Sequence, residues 1–150
     1  FHRRFDVERG LARLGPLLDA LEPYRTSRLV ASTLCPTIDA LRLRLGRDYG
    51  GKDLLSAATK LLWLLRREPA IIYDSQARRA LSAPAGDYEA YVKLWLQGYR
   101  SNSAAIRHAC STLPRRDLVA VPLSKSVPPE WFLQRVYDIY LWRAGARETV

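Results

Sequence analysis

Lys60-Leu61-Leu62-Trp63-Leu64-Leu65-Arg66-Arg67-Glu68-Pro69-Ala70-Ile71-Ile72-Tyr73-Asp74-Ser75-Gln76-Ala77-Arg78-Arg79 passes through three kinds of backbone in succession. It opens on the end of an apolar helix that carries a single lysine. Pro69 closes that helix, because a proline ring crowds the preceding residue out of helical dihedrals. The short run Ile71-Ile72-Tyr73 then delivers Asp74 to the start of a second helix. Asp74 or Ser75 caps this helix, which is expected to reach about Leu81. The β signal is poor. The run 70–73 is short, and 118–123 contains Pro122, which cannot donate to a strand ladder. The predicted fold is therefore all-α: a compact bundle of about six to eight helices in one domain.

Outward from this stretch the apolar residues keep the helical period almost throughout. The helix over about 52–67 is apolar nearly all round, from Leu54 and Leu55 to Leu65, a pattern that belongs to a central helix. Gly50-Gly51 is a turn before it. Further upstream, Leu11, Leu14, Leu17, Leu18 and Leu21 form a stripe. Gly15-Pro16 is expected to kink or split that helix and Glu22-Pro23 to end it. A segment over about 24–34 follows. Pro36 then suits the first turn of another helix, with Ile38, Leu41 and Leu45 inward and Gly46 as its stop. Downstream, Asp87 caps a helix that places Tyr88, Tyr91, Val92, Trp95 and Tyr99 on one side, a stripe that is expected as core, with stacking on exposed bases as the alternative. Ser101-Asn102-Ser103 is expected to interrupt it, with a further helix over about 104–113. A longer connection runs over 114–128, and Pro128-Pro129-Glu130 starts the last helix. Its Trp131 and Trp142 take the same reading, core first and base stacking as the alternative.

A chain of 150 residues with 48% hydrophobic residues is large and apolar enough to bury a core, which excludes a disordered chain. The 24 Lys and Arg residues give a net charge of +9, and only Lys52, Lys60, Lys93 and Lys125 are lysine. The excess points to a polyanionic partner, with DNA first and RNA as the alternative. The competing explanation is a coding bias toward arginine. A protein partner or a homo-oligomer is the other expectation. Cys35 and Cys110 show no metal-ligand spacing and are expected as buried free thiols of a cytoplasmic protein. No cofactor, metal site or membrane span is readable. A chain that begins at Phe1 and lacks methionine leaves room for a missing N-terminal segment.

Asp74 is the sharpest catalytic candidate. A carboxylate at a helix start accepts backbone N–H bonds, so capping alone would justify it. The same fixed anion would also stabilise a developing positive charge or orient a water. Lys60 is the second candidate, as a nucleophile if partly buried, or as a surface lysine snorkelling along an apolar face. Arg78 and Arg79 follow Asp74 and would grip phosphates, or stand as solvated charges. Arg66, Arg67, Arg115 and Arg116 are further dibasic candidates. His108 has no partner visible in the sequence, and no phosphate-cradling glycine loop exists.

Asp74-Ser75-Gln76-Ala77-Arg78-Arg79, after an apolar helix and a short extended run, resembles the helix-hairpin-helix (HhH-GPD) DNA glycosylase superfamily, including its 8-oxoguanine-glycosylase-like branches. The family motif has Asp, then Thr or Ser, any residue, a small apolar residue and often Arg. The closing segment 135–142 is similar to the C-terminal helix of divergent relatives. The resemblance covers about a third of the chain. It implies that Asp74 is essential to cleavage of an N-glycosidic bond on a flipped base. It also implies that Lys52, Ser56, Arg78 and Arg79 face nucleic acid. Bifunctional members carry a lysine at the spacing where this chain has Ser56, with Lys52 and Lys60 to either side, so the resemblance is to monofunctional members. Gly50-Gly51 lacks the family's hairpin spacing of two glycines separated by one residue.

Overall fold

The computed structural model describes residues 7–112 and 128–147, with side chains from Leu14 onward in the first helix. These residues form six helices and no strand. They are α1 (Val7–Thr26), α2 (Ala31–Asp48), α3 (Leu55–Leu65), α4 (Ser75–Ala80), α5 (Tyr88–Ser111) and α6 (Glu130–Arg147). The all-α expectation holds, and no helix among the described residues is long and apolar enough to cross a membrane. The chain divides into two compact units, one through Ile72 and one from Tyr73. The division falls inside the run that leads to Asp74.

The first unit holds α1, α2 and α3, each packed on the other two. Its core is aliphatic: Ala20, Leu21, Leu34, Ile38, Leu41, Leu45, Leu55, Ala58 and Leu62 are buried, as are Ile71 and Ile72 at its end. Several expected boundaries move. Helix α1 runs through Pro16 and past Pro23 to Thr26, and no separate segment forms over 24–34. An internal proline costs a helix about 3 kcal/mol, yet α1 carries two, with Ala20 and Leu21 buried between them. Helix α2 starts at Ala31, so Pro36 lies inside it rather than in its first turn. Gly46 is buried within α2 and does not stop it. The stop is Gly50-Gly51, at φ 85° and 74°, where the Gly51 N–H returns to the Gly46 carbonyl at 2.6 Å.

Helix α3 is shorter than expected, and its apolar surface is not buried all round: Leu64 is 71% exposed. Asp53 explains the late start. Its Oδ1 accepts the Leu55 N–H at 3.1 Å, and Arg42 of α2 binds it through two hydrogen bonds of 2.7 Å. Arg66, one of the dibasic candidates, donates to the Arg25 carbonyl at the last turn of α1.

The second unit holds α4, α5 and α6, with α4 and α5 both packed on α6. Its core is aromatic: Tyr73, Tyr88, Tyr91, Trp95, Tyr99 and Tyr137 are buried. The stripe read on α5 is therefore core, as expected. Helix α5 does not break at 101–103. The side chains of Ser101 and Asn102 donate to the carbonyls of Gln97 and Gly98, and Ser103 to that of Arg100, so they satisfy themselves without unwinding the helix. Helix α6 follows Pro129, whose carbonyl accepts from Phe132 and Leu133. Trp142 is 48% exposed and is not a core residue. Cys35 is only partly buried and Cys110 is buried, and neither is in a disulfide. The segments read over 114–127, including Arg115, Arg116 and 118–123, lie outside the described residues.

Candidate functional site

Asp74 is held from both sides. Before it, the buried Tyr73 packs edge-on against Tyr91, ring centroids 5.0 Å apart, and its hydroxyl accepts the Gly86 N–H at 3.0 Å. After it comes α4, whose Ala77 is buried. Asp74 itself is extended (φ −130°, ψ 141°), and its Oδ1 accepts the Gln76 N–H at 2.8 Å. The expected cap is present, and the carboxylate is partly exposed.

Helix α4 in turn sits hard against α6. A Cβ on Gly145 would collide with the Gln76 carbonyl, so only glycine allows this approach. The platform under Asp74 is thus a rigid pair of helices with an aromatic core beneath.

Asp138 on α6 is a second carboxyl in this unit, and no sequence signal singled it out. It is 7% exposed. Trp95 Nε1 donates to its Oδ1 at 2.8 Å, and Arg135 lies 3.5 Å from its Oδ2. Burial pushes the Asp138 carboxyl up to about 6. The hydrogen bond from Trp95 and the charge of Arg135 pull it down, and the charge of Asp74 pushes it up. The Tyr91 hydroxyl is also pushed well up, first by burial and then by Asp138, with Asp74 among the smaller causes. The available signal was spacing: Tyr137, Asp138 and Leu141 share the inward face of α6, and an acid on an apolar face needs a donor.

Arg78 and Arg79 lie on α4 beside Asp74, both partly buried. Arg78 Nη1 donates to the Ala83 carbonyl at 2.7 Å, tying down the loop after α4. Arg79 Nε is buried without a hydrogen-bond partner, as is Gln76 Oε1. Lys52, Ser56 and Lys60 belong to the first unit and the Asp74 cluster to the second. Lys52 is exposed, and the Ser56 carbonyl accepts from the buried Thr59 hydroxyl at 3.0 Å. Lys60 is exposed at an apolar cavity of about 460 Å³ lined by Leu14, Leu17, Leu45, Tyr49, Leu54, Ala57 and Leu61. The burial on which its reading as a nucleophile rested is absent, and it lies along an apolar surface as a snorkelling lysine does. His108 is exposed. No group of three His, Cys, Asp or Glu among the described residues could hold a metal ion.

The site thus offers one partly exposed carboxylate, Asp74, in the same unit as a buried carboxyl, Asp138, that burial pushes up to about 6. Comparison with known proteins finds no match: no family model, no curated protein and no solved structure.

Proposed function

We propose that this chain is a DNA-binding protein of glycosylase type, which turns a base out of the duplex and hydrolyses its N-glycosidic bond with help from Asp74. The observation that carries the reading is Asp74 itself: a carboxylate anchored by a backbone N–H, partly exposed, on a unit whose helices hold it still. As the C1′–N bond breaks, positive charge grows on the sugar. A fixed anion nearby stabilises that charge without reorganising. A water then adds to C1′, its proton passes to a base, and the departing nucleobase takes up a proton. The resemblance of Asp74-Ser75-Gln76-Ala77-Arg78-Arg79 to the HhH-GPD superfamily supports the same chemistry. Ser56, in place of the lysine of bifunctional members, favours hydrolysis by water over a covalent route.

The test is base release from a duplex carrying one 8-oxoguanine, and from a panel of duplexes each carrying one oxidised or deaminated base. Wild-type protein is expected to release one of these bases. Asp74→Asn is expected to slow release on the order of a hundredfold or more, with unchanged helical content. Equal release by wild type and variant rules out the role. A second reading is a helical interaction module without catalysis. It is favoured by the exposed Leu14, Leu18, Leu43 and Leu64 of the first unit, and it predicts no base release from any member of the panel.

A further inference from the structure

Helix α6 has two unlike faces. Leu133, Tyr137, Asp138, Leu141 and Gly145 are buried. On the other side Arg135, Ile139, Arg143 and Arg147 succeed one another every four residues and so form a single row. Tyr140 and Trp142 flank that row. Tyr140 is 62% exposed, Trp142 48% and Ile139 42%. Arg135 lies near Asp138, whereas Arg143 and Arg147 make no ion pair among the described residues. No acidic residue interrupts the row between Arg135 and Arg147.

We propose that this outer face of α6 binds unpaired nucleic acid, with Tyr140 and Trp142 stacking on exposed bases while Arg143 and Arg147 hold the phosphates. Two large aromatic rings in water, next to two cations, match the chemistry of a single strand, which presents flat apolar bases beside a line of negative charge. The Tyr140 ring is already supported. It lies nearly parallel to the buried Tyr137, at 18° between planes and 6.2 Å between centroids, so a base would meet a rigid platform. A paired duplex hides its base faces and would engage only the arginines.

Charge placement decides against two other partners. A lipid surface needs an unbroken apolar stripe, and here Arg143 and Arg147 sit between Ile139 and Tyr140. A second copy of this chain, docked about a two-fold axis on this face, would bring like arginine rows together. The inference does not depend on Asp74.

The experiment uses single-stranded oligodeoxythymidylate with the whole chain, read by tryptophan fluorescence and by affinity across a salt series. Oligonucleotide is expected to quench the emission, and Trp142→Phe is expected to remove most of that quenching while keeping most of the affinity. The double variant Tyr140→Ala, Trp142→Ala is expected to weaken binding roughly tenfold or more. The double variant Arg143→Ala, Arg147→Ala is expected to weaken binding and flatten the salt slope by about 1.4, from two phosphate contacts at about 0.7 each. All four side chains are exposed, Tyr140 and Trp142 at opposite edges of the arginine row, and circular dichroism checks that the variants keep their helices. Asp74→Asn is expected to leave this binding unchanged, so loss of base release and loss of strand binding are separable. Affinity and quenching untouched by all three outer-face variants overturn the proposal. So does binding to anionic phosphatidylglycerol vesicles, or self-association, that these variants abolish in its place.

Discussion

Two aspartates in the second unit answer to different physics. Asp74 is a cap as well as a candidate catalyst, and substitution separates the roles. Asparagine caps about as well as aspartate, so Asp74→Asn should keep stability, whereas Asp74→Ala should cost about 1 kcal/mol. Urea unfolding of the two variants checks this. Asp138 shows its environment through pH. Its folded value lies near 6 against an ordinary 3.8, so between these values the folded state holds more protons than the unfolded one. Stability from this group is complete below about pH 4 and falls as pH rises toward 6, by roughly 2–3 kcal/mol at most. Asp138→Asn keeps an acceptor for Trp95 and removes the titration. The decline in melting temperature over that interval should be shallower in the variant than in the wild type. Parallel profiles would show that the buried carboxyl does not titrate there. Asp74 was legible because its place in the chain carries meaning: an acid after a β-branched run and before a helix. Asp138 was not, because its partner Trp95 is far away along the chain.

Helix starts were legible where a side chain does local work, and helix ends were not where packing overrides local preference. Asp87 caps α5 as expected, its Oδ1 accepting from Ala90 at 2.9 Å. The breaks expected at Pro16, Pro23 and 101–103 do not occur, because helices with a buried face outlast one lost or weakened turn. The contact of α4 with α6 turns on Gly145, where an added methyl would meet backbone rather than a movable side chain. Gly145→Ala should therefore destabilise the second unit by about 1–3 kcal/mol despite alanine's better helix propensity. Chemical denaturation would register the loss. A stabilised variant would mean that the two helices separate at no expense.

For the molecule as a whole, the charge of +9 is a statement about partners. Binding to a duplex that contains a stable abasic-site analogue, compared with the same intact duplex over a salt series, tests the proposed function without naming a base. A preference for the abasic duplex is expected at every salt concentration, with both affinities falling linearly on logarithmic axes. Equal affinities would remove base flipping from the account. The helical class, the Asp74 cap and the aromatic stripe of α5 follow from periodicity and local hydrogen bonding, which act over a few residues and are written in their order. The division at Ile72 and Tyr73, the Trp95–Asp138 bond and the exposure of Trp142 depend on which helix faces meet. So does the outward arginine row of α6. These arise from contacts between residues distant in the chain, and burial there is decided by the neighbouring helix rather than by the neighbouring residue.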